Sequence, residues 1–335
     1  MRAVVLVGGF GTRLRPLTSV TPKQMLPVLH RPMIEHVLGH LARHGVDDVV
    51  LSMGYRADAF SNAYPDGTCA GVVLHYAVEP EPLDTAGAIR FAARHAGIDG
   101  RFLVMNADVL TDLDIGALIQ FHDDRGAEAT IALHKDEDPS AFGVVPTDRN
   151  DRVTAFVEKP PRDEAPTDLI NAGIYVMEPS VLDRIPGDRR VSIERETFPL
   201  MATDGTLYAM NGDTYWIDTG TPATYLRAQI DLLSGVRGGA GNGIHPDANV
   251  DSDATVDRSI VGAGAVIGAG SVLRRSLVMP GASIGTGAVV EDSIVATGAW
   301  IGEKARLVNT TVVGDGEIVA DGEDLDGIRR PAPDG

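Results

Sequence analysis

Cut at Ile244, Val261, Val278, Val295 and Val312, the last third of the chain falls into blocks of 17 residues. Aliphatic residues recur at the first, seventh and thirteenth places: Ile244/Val250/Val256, Val261/Ile267/Leu273, Val278/Ile284/Val290 and Val295/Ile301/Leu307. Glycine follows the aliphatic at Gly262, Gly268, Gly285 and Gly302. Such a period predicts a triangular parallel β-coil with one short strand per side and the aliphatics pointing inward. Four complete coils and a partial fifth are expected over 244–320, with a flexible acidic, Pro/Gly-rich tail over 321–335. Residues 234–243 are glycine-rich and aperiodic, which reads as a linker.

Residues 1–233 carry a different pattern. Apolar runs at Val4–Val7, Val49–Met53, Val72–Ala77 and Phe102–Met105 alternate with helical stretches at Pro32–His44, Thr85–His95 and Ile115–Asp123. Alternation of this kind predicts an α/β domain with a Rossmann-like, mostly parallel sheet covered on both faces. Strands are expected at 129–133, 142–146, 153–157 and 170–177. Helices are expected from Ser192 to Ala202 and from Thr221 to Leu233, with Ser192 capping the first and Pro222 opening the second. In such sheets ligands sit at the carboxyl ends of the strands.

At the end of the first strand the chain reads VGGFGTRLRPLTSVTPKQMLPV. Closely spaced glycines let a backbone approach a ligand and turn its N–H groups toward it. Arg13, Arg15 and Lys23 beside them make an anion site. The chain has a net charge of −18, which argues against nucleic acid or an anionic membrane as partner. Against that background residues 1–56 hold seven Lys/Arg and only three acids, so the cations gather where a small polyanion is handled. Cys69 is the single cysteine, which leaves no disulfide framework and suits a reducing cytoplasm. No apolar run approaches the roughly 18 residues of a membrane span, and the opening run reads as a first strand, not a signal peptide.

Two familiar phosphate loops fit poorly. A Walker A loop needs Lys-Ser/Thr after its last glycine, where Thr12-Arg13 stands. A dinucleotide fingerprint needs a third glycine, where Leu14 stands. GGFGTRLRPLT followed by PKQMLPV instead closely resembles the sugar-1-phosphate nucleotidyltransferases, and the C-terminal repeat resembles their hexapeptide-repeat left-handed β-helix. The resemblance implies a nucleotidyltransferase fold of the GT-A-like kind, spanning 1–233. It implies that Val7, Gly8, Gly9, Gly11, Thr12 and Arg13 cradle the nucleotide, with Lys23 on its phosphates and Glu79, Asp84, Thr85 and Ala86 near the base and ribose. It implies that Asp108 and Asp218 hold Mg2+, an ion that prefers oxygen ligands. Glu158 and Lys159 would clamp the sugar phosphate, with Gly143 and Asn171 contributing. Arg13, Lys23, Asp108, Lys159 and Asp218 are thus the expected catalytic set.

Base and sugar are read from fewer residues. Glu79 stands where thymidylyl and uridylyl members usually have glutamine. A carboxylate offers only acceptors, which suits the N1–H and N2–H2 donors of guanine. SIERETFP (192–199) and YWIDTGTP (215–222) resemble mannose-1-phosphate guanylyltransferase. Asp84 departs from the family, which has glycine there. KQMLPV and PMI look more like thymidylyltransferases. The alternatives are therefore a thymidylyl- or uridylyltransferase on glucose 1-phosphate, a guanylyltransferase on a cyclitol phosphate such as valienol 1-phosphate, and a non-catalytic nucleotide-sugar sensor. Many β-coil proteins are CoA-dependent acyltransferases, but those need a histidine on a middle coil, and the coil's histidine, His245, lies at its start. A role in homo-oligomer assembly is expected of the coil instead. His36, His40 and His44 have zinc-like spacing but share the polar helix face with Arg43 and lack a catalytic Glu. Trp216 and Trp300 are expected to be packing residues.

Overall fold

The computed structural model describes residues 1–54, 56–238 and 241–332. The chain forms two compact units, Met1–Gly9 with Ile34–Trp216 and Phe10–Met33 with Ile217–Gly335.

In the first unit β1 (Arg2–Leu6), β2 (Asp48–Met53), β3 (Val72–Val78) and β4 (Phe102–Asn106) are parallel, with β1 between β2 and β4 and β3 outside β2. Val4, Val5, Val49, Val50 and Val104 are fully buried, as in strands covered on both faces. The sheet continues antiparallel from β4 into β8 (Leu169–Met177). Strand β8 pairs with β5 (Ala129–Lys135) over most of its length and with β6 (Gly143–Val144) at its start, and β6 pairs with β7 (Val157–Glu158). The register sets Leu6 beside both Ser52 and Asn106, and Met53 beside Val78, so the carboxyl ends of β1 to β4 share one edge.

Helices α1 (Met33–Arg43), α3 (Asp84–His95) and α4 (Ile115–Arg125) lie close to the expected ranges. On α1, Met33, Ile34, Val37, Leu38 and Leu41 are buried, the face the periodicity predicts. Two elements have no clear sequence signal: the single-turn-and-a-half helix α2 (Asp58–Ala63) and strand β9 (Leu207–Asn211). Strand β9 is short, and it is a strand because it pairs in parallel with β5. The segment after Ser192 is a π-helical turn, Ile193–Thr197, running into α5 (Phe198–Asp204), and Ser192 caps it by accepting from the Arg195 amide.

The second unit contains residues 10–33, α6 (Pro222–Leu233) and the repeat. Helix α6 opens with a capping box between Thr221 and Thr224 and with Pro222 in its first turn. The repeat forms three parallel sheets of five strands each. Val261, Ile267, Leu273, Val278, Ile284, Val290, Val295, Ile301 and Leu307 are buried, as the period requires. The first coil is looser, with Ile244 37% exposed.

Three expectations are corrected here. Val295 pairs with Val313, not Val312, because the fourth coil holds one extra residue. The earlier corners each place one non-glycine residue at positive φ, at Arg258, Arg275 and Asp292, whereas this corner places two, Asn309 and Thr310. The extra residue is absorbed at a corner, where it costs no ladder hydrogen bond. Residues 324–326 and 329–330, expected in the flexible tail, are strands that pair with the coil before them. The expectations for 333–335 of the tail and for 239–240 of the linker lie outside the described residues. Trp300 is 42% exposed and so is not a packing residue.

Candidate functional site

In the first unit the residues singled out from the sequence collect along the edge where the parallel strands end. Val7 continues β1 and donates its amide to the Ser52 carbonyl (3.0 Å), so the chain stays extended as far as the exposed Gly8 and Gly9. Gly9 has φ +104°, open to glycine and rarely to other residues. A side chain at Gly8 would begin 3.9 Å from Glu79 Oε1, which puts the base of the glycine loop beside that carboxylate.

Glu79 follows β3 directly. Its Oε1 accepts from the Ser52 hydroxyl (3.3 Å) and its Oε2 from the Leu83 amide (3.1 Å), so the carboxylate also staples the 79–83 loop. Burial pushes its pKa up, opposed by those two hydrogen bonds. Asp84 has φ +62°, a left-handed conformation that glycine adopts without strain. Its carboxylate is exposed and accepts from the Thr85 amide (2.9 Å). The Thr85 hydroxyl donates to Glu194 Oε2 (2.7 Å) and accepts from the Ile193 amide (2.8 Å), while the buried Ala86 donates its amide to the Val191 carbonyl (2.9 Å). Thr85 and Ala86 thus clamp the start of α3 to the 191–194 segment, and neither offers an unengaged amide or hydroxyl to a ligand in this conformation.

Asp108 lies two residues past β4 and is half-buried. The fully buried Tyr175 has its phenol pKa raised by burial and then by the Glu194, Glu158 and Asp108 carboxylates, so these three acids lie close enough to act on one ring. The Tyr175 hydroxyl accepts from Asn171 Nδ2 (2.9 Å), and Asn171 Oδ1 accepts from the Gly173 amide (2.9 Å). Asn171 is held where β8 breaks register with β5. Gly173 is left-handed at φ +73°, and any Cβ there would lie 2.6 Å from Asn106 Nδ2.

Gly143 pairs with Glu158 across β6 and β7, and a Cβ there would collide with Phe156 at 2.5 Å and approach Glu158 Oε2 at 3.0 Å. The bare backbone is what lets Glu158 lie over that strand. Lys159 adopts φ +50° and turns out of the strand, its Nζ 3.5 Å from Glu158 Oε1. Trp216 donates its indole N–H to the Ala172 carbonyl (2.9 Å) and stacks on His134 at 5.0 Å, so this tryptophan does pack.

In the second unit Gly11 adopts φ +60° and caps a turn of 3-10 helix, Thr12–Leu14. Thr12 and Arg13 are exposed and Lys23 is buried. Both cations converge on Asp218, Lys23 Nζ at 3.5 Å from Oδ1 and Arg13 Nη2 at 3.8 Å from Oδ2. Gly220 makes this possible. A Cβ there would lie 2.5 Å from Arg13 Nη2 and 2.7 Å from Asp218 Oδ1. Thr18 fixes the loop from the other side by donating to the Gly11 carbonyl (2.8 Å). A Cβ at Gly11 would meet the Thr18 methyl at 3.0 Å.

The loop is also tied to α6 and the β-coil. Tyr225 and Gln229 on α6 both donate to the Pro27 carbonyl, Gln229 at 2.7 Å, and Gln229 Oε1 accepts from the Leu29 amide (2.6 Å). Arg329 on the last coil donates to the Arg15 carbonyl (3.1 Å), and a Cβ at Gly314 would lie 3.0 Å from Pro16. Sequence reading did not single out Thr18, Glu194, Gly220 or Arg329. Glu194 and Gly220 sit inside the quoted SIERETFP and WIDTG motifs, a signal that could have found them.

The histidine trio departs from a shared polar face. His40 is buried, with Nε2 3.0 Å from the Leu113 carbonyl and Nδ1 3.3 Å from Arg43. His44 lies 3.6 Å from Asp114. Among the described residues no cluster of three His, Cys, Asp or Glu side chains has metal-binding geometry, and no helix is long and apolar enough to cross a membrane.

Comparison with known proteins adds to this geometry. Residues 2–235 match the family described as Nucleotidyl transferase, and residues 241–327 match the GMPPB C-terminal domain. The chain is 42% identical over 273 residues to a mannose-1-phosphate guanylyltransferase of Mycobacterium tuberculosis, covering 78% of this chain and 75% of that one. It is 44% identical over 232 residues to a mannose-1-phosphate guanyltransferase of Aspergillus oryzae, covering 68% of this chain and 62%, less than two thirds, of the relative. Among solved structures, HddC from Yersinia pseudotuberculosis complexed with GMP-PN superposes with a TM-score of 0.59 at 28% identity, covering 68% of this chain and 97% of HddC.

Proposed function

The chain belongs to the nucleotidyl transferase family, and from that premise we propose that it transfers the guanylyl group of GTP to mannose 1-phosphate, releasing pyrophosphate. The observation that carries the reading is the convergence of Arg13 and Lys23 on Asp218 at the end of a glycine loop, inside the family-matched region. The mannose-1-phosphate guanylyltransferase names of the mycobacterial and fungal relatives support the choice of base and sugar.

A phosphate oxygen of the sugar phosphate attacks the α-phosphorus of the triphosphate in line. One P–O bond forms, and the bond from that phosphorus to the pyrophosphate oxygen breaks. No covalent enzyme intermediate is required. The work of the chain is positioning and charge neutralisation. Gly8, Gly9, Gly11 and Thr12 let the backbone follow the phosphates, Arg13 and Lys23 offset the charge gathering on them, and Lys159 holds the phosphate of the acceptor. Glu158 and Asn171 hold sugar hydroxyls over the Gly143 strand. Glu79 accepts from the guanine edge with the lone pairs that Ser52 and Leu83 leave open, since a carboxylate has about four acceptor sites for two donors already placed.

Asp108 and Asp218 supply the carboxylate oxygens that a hard divalent cation prefers, so both fit a role in holding Mg2+. When bound, Mg2+ would supply positive charge that offsets the negative charge on the phosphates. Asp218 already sits between two cations, which is the arrangement of a carboxylate set to exchange cationic partners as substrate arrives.

The same reading assigns the β-coil to assembly between copies of the chain. Val266, Trp300 and Ile318 are exposed and lie in one register column of a single coil sheet, with Ser283 between the first two, which supports a self-association face.

The test is pyrophosphate release measured across four nucleoside triphosphates and a panel of sugar and cyclitol 1-phosphates. GTP with mannose 1-phosphate is expected to give the highest kcat/KM. A different best pair would replace the substrate assignment, and nucleotide binding without release from any pair would favour a sensor. Glu79→Gln is expected to lower the preference for GTP; an unchanged base preference would remove Glu79 from base reading.

A further inference from the structure

A cavity of about 340 Å³ lies in the first unit between α3 and the segment around Gly187, and none of the residues given a role in the reaction above lines it. Arg90, Arg94, His95 and Arg189 line it, together with the ring of Phe91, and no carboxylate does. Three guanidinium groups thus face the cavity, two of them paired with carboxylates outside its lining, which leaves one cation in excess. The volume falls in the range of small-ligand sites.

The arginines differ in what they already hold. Arg94 Nη2 donates to Asp183 (2.6 Å), and Arg189 donates to Glu196 (2.6 Å) and to the Arg190 carbonyl (3.1 Å). Each keeps further N–H donors of its fork. Arg90 has no partner at all among the described residues, and its Nε is buried without a hydrogen bond. Leaving a buried, charged donor unsatisfied is expensive, which points to a ligand as its missing acceptor. Its guanidinium lies on the bare backbone of Gly187, where a Cβ would come within 2.4 Å of Nη1. Phe91 stacks with His95 (ring centroids 5.8 Å apart, planes at 21°) and gives the cavity a flat apolar wall.

We propose that this cavity is a second ligand site that binds the phosphate group of a small phosphomonoester, with Arg90 as the principal anchor and Arg94 and Arg189 flanking it. A forked guanidinium matches phosphate oxygens in a bidentate fashion. The organic part of the ligand packs on Phe91 and Pro186. The site is wired toward the nucleotide end. Leu83 lines the cavity, donates its amide to Glu79 (3.1 Å), and accepts from the Val191 amide (3.0 Å). The proposal does not depend on which nucleotide or sugar the first site takes.

The experiment is calorimetric titration of the full chain with three probes, inorganic phosphate, a hexose 6-phosphate and adenosine 5′-monophosphate, which separate a bare anion from a sugar or nucleoside ester. At least one is expected to bind the native chain. That binding should weaken about tenfold or more in Arg90→Met and in Arg94→Met, since each loses a charge-assisted hydrogen bond, and persist in Lys23→Ala. Absence of binding by all three probes would overturn the site, as would binding that survives both α3 variants or disappears with Lys23→Ala. Should Arg90→Met fold poorly, arginine-directed phenylglyoxal labelling of the native chain decides the matter. Protection of Arg90 and Arg94 by the probe supports the site, and equal labelling with and without probe rejects it. Basal turnover in Arg94→Met is expected to be unchanged, so loss of phosphate binding there is separable from failure of the transferase reading.

Discussion

Glu79 combines two duties, and its protonation separates them. Because burial raises its pKa in the folded chain above the ordinary value near 4.5, the native state holds this proton more tightly than the unfolded state. Stability from this group is therefore fully present below that ordinary value and is lost as pH rises through the raised one. At neutral pH the ionised, half-buried carboxylate is a cost to the fold. Glu79→Gln is expected to raise the melting midpoint at pH 7, with the gap to the native chain closing as pH falls toward 4.5; thermal melts at several pH values check it. Gly220 is the opposite kind of residue, defined by what it lacks. Gly220→Ala is expected to part Arg13 from Asp218 and to lower kcat/KM about a hundredfold, the penalty of displacing a catalytic group by about an ångström. Steady-state kinetics beside an unchanged circular dichroism spectrum would check it. Asp84 sits at φ +62°, where glycine is unstrained. Asp84→Gly is expected to stabilise the chain by about 0.5–1 kcal/mol, relief of left-handed strain outweighing one exposed hydrogen bond; urea unfolding measures it.

At the scale of elements the last coil stands out. The strand Arg329–Arg330 lies in a stretch that reads as a frayed tail, yet Arg329 donates to the carbonyl of Arg15, two residues from Arg13. The coil is thus a brace for the loop that carries the cations. Arg329→Ala is expected to raise KM for the triphosphate about fivefold, the worth of one hydrogen bond of about 1 kcal/mol. The melting of the coil itself should stay unchanged, because its inward aliphatics are untouched. A KM effect without a kcat effect distinguishes bracing of the loop from damage to the chemistry.

At the scale of the whole molecule, residues 10–33 are compact with the C-terminal region and not with the sheet whose first strand precedes them. Their anchors are Tyr225, Gln229, Arg329 and the backbone at Gly314. Hydrogen exchange on the full chain is expected to show the protected amides of 10–33 opening together with α6, and at a different free energy from β1, β2 and β4, since regions exchange as cooperative units. Exchange of 10–33 in step with the sheet would contradict that grouping.

Much of this was present in the order of residues. The period of the coil, the alternation of strand and helix, the glycine loop and the carboxylates after strand ends are local patterns, set by backbone conformation and by which side chains must leave water. Even the one-residue slip at Asn309 and Thr310 is a local event, visible only as an altered spacing. Tertiary structure alone decided the rest. It made β9 a strand by pairing it with β5, buried His40 and exposed Trp300, and turned 324–330 from tail into coil. It engaged Thr85 and Ala86 with the 191–194 segment, leaving them as clamps. It also brought Gly220 against Arg13, Arg329 against Arg15, and Arg90 against Gly187, residues separated by up to 314 positions. Such contacts depend on where two backbones pass within a few ångströms of each other, and a linear chain records no distance between residues it has yet to fold together.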